Sequence, residues 1–291
     1  MKSARTRFVL VFAALVILST SAIAEAQVDD TAFGNGALSH LTKGNDDTAL
    51  GAVALFQNTS GSSNTATGSE ALADNTTANS NTATGAFALR DNTSGDGNTA
   101  TGEGALFENT THSDNTAVGL EALTFNDADD NTAVGAYALE FNVSGFYNTA
   151  SGFEALQNNS TGSQNTAHGV FAMVTNTSGY NNTASGVAAM FSNTTGYDNT
   201  SSGSQSLYHN MSGHDNTASG MNSLLSNTSG FFNSAAGFQA LFSNTTGSNN
   251  SAQGANALFK NSTGTYNTAT GVNALLFDTG SQNTGTGADA L

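Results

Sequence analysis

Cysteine and proline are both absent from the chain, and lysine and arginine together number only six. The first absence excludes a disulfide framework, so stability must come from stacking and hydrogen bonding. The second removes the one residue that cannot donate to a backbone ladder, as expected where nearly every N–H serves in one. Beyond residue 26 only Lys43, Arg90 and Lys260 remain as cations against twenty-one carboxylates, a formal charge of −18. That balance excludes nucleic acid and anionic membrane surfaces as partners, since both need cationic surface. It also argues against a polysaccharide-cleaving β-helix, whose active site would gather carboxylates and basic groups on one face. It suits a soluble extracellular rod that must not clump with its neighbours. The acids are uneven: seventeen lie between Asp29 and Glu154, and only Asp198, Asp215, Asp278 and Asp289 follow.

Sites of chemistry are missing too. There is no G-x-S-x-G elbow, phosphate-binding loop or nucleophile–base pairing, so the chain is expected to be non-enzymatic and to carry no cofactor. His40, His112, His168, His209 and His214 stand mostly at different points of the pattern described below, without ligand spacing, so no metal site is expected. The acidic cluster Asp127, Asp129 and Asp130 has too few donors for calcium and reads as a solvated corner. The G-G-x-G-x-D calcium repeat is also absent.

What the chain has in abundance is one phrase. The unit N-T-A-x-G-x-x-A-L-x-x-N-x-T/S-G-x-x, seen at Asn64–Ser80, begins at Asp30 and recurs with a 17-residue period to Asn283, sixteen starts in all. Two of the steps, Asn115 to Asn131 and Asn267 to Asn283, are one residue short. A fixed short period is the mark of a repeat array. Asn, Thr and Gly at this density argue against helix, while N-T-A-x-G reads as a strand with alternate residues on opposite faces. The Gly closing that strand, Gly34 through Gly287, recurs in all sixteen units and implies a positive φ or a close backbone approach. The second motif, N-x-T/S-G, reads as a turn whose Gly is left-handed. Each unit is therefore expected to hold two short strands and two corners. Stacked at the usual strand spacing, the coils would make a parallel β-solenoid, or β-roll, roughly 75 Å long.

The Leu of A-L, from Leu38 to Leu275 with Met173 and Met190 substituting, supplies a buried apolar column in a thin interior. The opening Asn or Asp is expected to stack as an amide ladder that satisfies corner backbone groups. The residue after Leu becomes apolar without a break in the later units: Val174, Phe191, Tyr208, Leu225, Phe242, Phe259 and Leu276. Strand alternation would turn this column outward, to be covered by other copies of the chain, most simply in a parallel homotrimer. The alternative is an irregular corner that tucks both side chains inside one chain.

Residues 1–26 have the form of a secretory signal: Lys2, Arg5 and Arg7, the apolar run Phe8–Ile17, and small residues permitting cleavage after Ala24 or Ala26. Residues 27–291 then form a single repeat domain. Sequons such as Asn58, Asn75, Asn92, Asn193 and Asn244 follow from the turn chemistry alone. The last unit stops at Ala290-Leu291 without a polar cap, so the chain is expected to be a fragment or to stack its end on another surface.

Written as A-T-G-S-E-A-L, the unit resembles the head repeats of YadA-like trimeric autotransporter adhesins. It is also similar to the N-T-A-x-G-x-x-A-L-x-x-N-T-T-G arrays of bacterial surface proteins and phage tail fibres. The resemblance spans Asp30–Leu291; the adhesin head's own unit is shorter, and its neck, stalk and membrane barrel are not seen. It implies a secreted, cell-surface adhesin head or structural fibre, self-associated and binding a host or matrix protein or a glycan. From the residues, the expected contact is the set of aromatics just before the opening Asn: Phe146, Tyr147, Tyr180, Tyr197, Phe231, Phe232 and Tyr266. Plain stacking that stiffens the rod is the alternative for that set. Two rival functions remain. The T-x-T triplets Thr65–Thr67, Thr82–Thr84, Thr99–Thr101 and Thr268–Thr270 could present a flat ice-binding face. A phage-like receptor-binding fibre shares the fold, but the export signal speaks against it.

Overall fold

A computed structural model describes residues 29–291; the export signal expected at residues 1–26 and its expected cleavage positions lie outside them. The described chain is a parallel β-solenoid, with one three-residue strand per coil from β1 (Thr31–Phe33) to β16 (Thr284–Thr286). The sixteen strands form one sheet in sequence order, each pairing in register with the next. Thr stacks on Thr and Ala on Ala, so the middle residue is buried while its neighbours face outward in nearly every coil.

The ladder continues around the coil well beyond the strand. Leu72 N–H donates to the Ala88 carbonyl at 3.0 Å, Glu70 to Ala52 at 2.8 Å and Ser80 to Ser62 at 3.0 Å. Donors point alternately to the coil above and the coil below, which is why no proline can be accommodated cheaply.

The interior has an apolar half and an amide half. The apolar half is the strand Ala together with the A-L pair, represented by Ala66, Ala71 and Leu72, all fully buried. The amide half is two Asn columns, also fully buried. Asn148 donates its backbone N–H to Asn131 Oδ1 at 3.0 Å and its side-chain amide to the Gly162 carbonyl at 2.9 Å. The second Asn of the unit, Asn159, donates to Asn142 Oδ1 at 2.8 Å and to the same Gly162 carbonyl at 2.8 Å. In the equivalent corner the Gly61 N–H returns a bond to Asn58 Oδ1 at 3.0 Å. Both ladders therefore meet at one carbonyl, that of Gly162 in this coil.

Three local expectations are corrected. Each coil has one strand, not two: the A-L segment is a tight turn in which Glu70 (φ 57°) and Leu72 (φ 49°) are left-handed. Strand alternation therefore does not apply after Leu. The column that follows is half-buried against its own coils rather than standing free, with Phe191 stacked on Tyr208 at 5.1 Å and Phe242 on Phe259 at 4.9 Å. Finally, the Gly of N-x-T/S-G does not adopt the left-handed region. It is required because a Cβ there would strike the next coil's carbonyl and the Asn amides, as at Gly162. The strand-closing Gly is needed on both counts: at Gly152 φ is 140° and a Cβ would sit 2.5 Å from the Gly169 oxygen.

Removing a ladder rung should leave a buried donor without an acceptor. Asn148→Ala strips the Asn165 N–H of its partner, bonded at 3.0 Å, and is expected to cost about 2–4 kcal/mol. Loss of hydrogen-exchange protection centred on that pair of coils checks it.

The first coils carry Asp where later ones carry Asn. Burial pushes the fully buried Asp47 carboxyl up to about 6 and neighbouring Asp30 adds to the shift, against hydrogen bonds from Asn64 and Asn58. A raised carboxyl pKa means that the folded state holds its proton more tightly. Its stabilising contribution is present below the ordinary value of 3.8 and is lost as pH rises through about 6. Asp47→Asn should stabilise these coils at neutral pH, by up to about 3 kcal/mol, and flatten their melting profile across that window.

Candidate functional site

Three long surfaces are built by repetition. The first is the outer face of the sheet, carrying the Thr of N-T-A and the residue two further on. In three consecutive coils this gives Thr65/Thr67, Thr82/Thr84 and Thr99/Thr101, all outward and in register. Elsewhere the second row changes to Val118, Val134, His168 and Gln253.

The second surface follows the closing Gly. From the middle of the rod onward it exposes Leu120, Phe153, Val170, Val187, Met221, Phe238 and Val272, between 38% and 52% accessible.

The third contains the aromatics anticipated from sequence, and the structure divides them into two adjacent columns. Phe146, Tyr180, Tyr197 and Phe231 stand two residues before the opening Asn. Because each coil places the next equivalent residue one strand spacing away, like residues meet as offset stacks. Tyr180 lies on Tyr197 at 5.0 Å and 2°, and Tyr197 lies on His214 at 4.7 Å and 1°. His214 lies in turn on Phe231 at 5.0 Å and 6°. The sequence reading missed His214, although its phase, the same as that of Tyr197, was the signal that places it in the stack. Phe146 is two coils removed from Tyr180, separated by Ser163, and packs edge-on against Tyr147 at 5.4 Å.

Tyr147, Phe232 and Tyr266 stand one residue before the opening Asn, where the chain is always left-handed, with φ of 57°, 54° and 58°. Most coils fill this position with Asp, Asn, Ser or Gly, which tolerate that region. A bulky ring there is strained, and these three rings are also 57%, 54% and 62% exposed. Strain held at exposed aromatic positions is a pointer to function rather than to packing. Phe232 leans edge-on against His214 at 5.9 Å, so the two columns join at that end of the stack.

The electrostatics of the stack are one-sided. His214 Nδ1 lies 2.9 Å from Asp215 Oδ2, and Asp198 stands exposed in the same column as Asp215. Desolvation holds the Tyr180 hydroxyl above its usual range, helped by Tyr197 and by the Asp198 and Asp215 carboxylates. Asp127 lies 3.3 Å from His112 Nδ1 in the shortened coil, and Asp129 caps the Ser113 N–H at 2.7 Å. Among the described residues no group of three or more His, Asp or Glu is placed to hold a metal ion.

Comparison with protein-family models, curated proteins and solved structures found no match.

Among the described residues Tyr266 has no ring partner, so no stacking offsets its left-handed strain. Tyr266→Asn, the residue found naturally at Asn181 and Asn249, should raise stability by up to about 1 kcal/mol. A higher midpoint in chemical unfolding checks it, and a lower one would show that the ring packs usefully.

Proposed function

We propose that this chain is a secreted, non-enzymatic fibre of the bacterial cell surface, acting as an adhesin head that makes contact through its long sides. The observation that carries the reading is the set of exposed rings at left-handed positions, Tyr147, Phe232 and Tyr266, where every demand of the fold is met better by Asn or Gly. Repetition without a converging cleft also supports it, because a face built of equal steps offers extended contact to a matrix protein or a glycan. Self-association into a parallel homo-oligomer, a trimer at its simplest, belongs to the same reading. Its support is the exposed apolar column from Leu120 to Val272, interrupted by Ala136, Ser204 and Ala255 but lying along one side of the rod.

Two measurements test this. The leaderless chain should show the mass of three copies by light scattering; a single-chain mass removes the trimer. Immobilised on a surface, it should retain host cells or matrix protein, and joint replacement of Tyr180, Tyr197 and Tyr266 by Ala should abolish retention while the circular dichroism spectrum is kept. Undiminished retention by the folded variant would refute a binding role for the rings.

A second reading rests on the outward, in-register Thr pairs of the coils from Thr65 to Thr101. Ice binding through that face would appear as thermal hysteresis of the purified chain, and its complete absence removes the idea.

A further inference from the structure

We propose that the ring stack Tyr180–Tyr197–His214–Phe231 is a docking strip for a cationic, arginine-bearing peptide segment of a partner protein. This rests on the adhesin reading and assigns it a partner chemistry and a place.

The argument begins with where charge was left. Only four carboxylates follow Glu154, and two of them, Asp198 and Asp215, stand in consecutive coils directly beside the stacked rings. No lysine or arginine occurs between Arg90 and Lys260, and Lys260 is engaged elsewhere, its Nζ 5.1 Å from the centre of the Phe259 ring. Among the described residues, then, no lysine or arginine is paired with these two carboxylates, and His214 alone contacts one of them. Asp198 is exposed, whereas Asp215 is partly engaged by His214 at 2.9 Å. The rings are parallel to within 6° and spaced 4.7–5.0 Å apart, so they overlap like shingles and present edges and part-faces outward. Phe232 closes one end edge-on.

A planar guanidinium fits such a surface in two ways at once. It lies against an aromatic part-face, and its fork of N–H donors matches a carboxylate. A lysine ammonium, compact and strongly hydrated, uses only the charge. The one-coil separation of Asp198 and Asp215 provides successive anchors along the rod, which suits an extended peptide lying parallel to it. The strongly acidic first half of the rod would draw a cationic partner in from a distance; the strip supplies the specific contact.

The test uses the leaderless chain with three capped peptides, tetra-arginine, tetra-lysine and tetra-glutamate, and reads the ring-proton NMR signals of Tyr180 and Tyr197. Tetra-arginine should shift those signals saturably and more tightly than tetra-lysine, with tetra-glutamate silent. In the Asp198→Asn/Asp215→Asn variant, whose substitutions leave the ladder and the rings in place, affinity should fall about tenfold. Equal binding by this variant, or equal binding of tetra-lysine, would show bulk attraction to the acidic half and overturn the proposal, as would unmoved ring signals. A protein that still adheres to cells but ignores tetra-arginine would leave the adhesin reading standing and remove this one alone.

Discussion

One carbonyl per coil governs the rest of the molecule. It receives two Asn side-chain amides, at Gly162 those of Asn148 and Asn159, while the N–H of a corner glycine bonds to the next coil's backbone, as that of Gly179 does to the Thr194 carbonyl. In a coil this small the turn cannot reach water, so its backbone has to be satisfied from within. Asn suits the task because it both donates and accepts, handing one bond along the rod while closing another inside its own coil. Asp cannot donate when ionised, and Asp47 shows the result in a carboxyl pushed toward neutrality. The rungs vary in length along the rod, from 2.7 Å between Asn176 and Asn159 to 3.4 Å between Asn109 and Asn92.

The same smallness explains the strain. Closing a coil with only three strand residues requires left-handed backbone at Leu72 and its equivalents in every turn. Each such residue costs on the order of 1–3 kcal/mol. It is held because the Leu side chain is wholly buried and its N–H is bonded to the next coil. Strain, burial and ladder are thus coupled at every level of the rod, and no coil is stable without its neighbours.

Much of this was legible in the sequence. Period, parallel register, buried Leu and stacked amides all follow from asking which residues recur. Recurrence identifies equivalent positions but is silent on the backbone between them, and there the reading went astray. The A-L segment has the apolar look of a strand and is a left-handed turn, so in the column that follows Leu, Val174 came out buried and Phe191 to Leu276 half-buried. The Gly of N-x-T/S-G has turn chemistry, yet is fixed by the approach of a neighbouring coil that local sequence does not reveal. The aromatic set was found, but His214 was judged as a possible metal ligand rather than as a ring, and so its place in the stack was overlooked.

The buried Asn columns have one more consequence. Asn58, Asn75, Asn92, Asn193 and Asn244 each spell an N-x-S/T acceptor, and each is completely inaccessible with its amide nitrogen already committed to the interior. An oligosaccharide attached to any of them would occupy the space of the neighbouring coil. Sugar transfer to these five positions and winding of the rod are therefore mutually exclusive fates of the same nascent chain, whereas the acceptor motifs that begin at the exposed Asn158 and Asn181 remain reachable after the rod has wound.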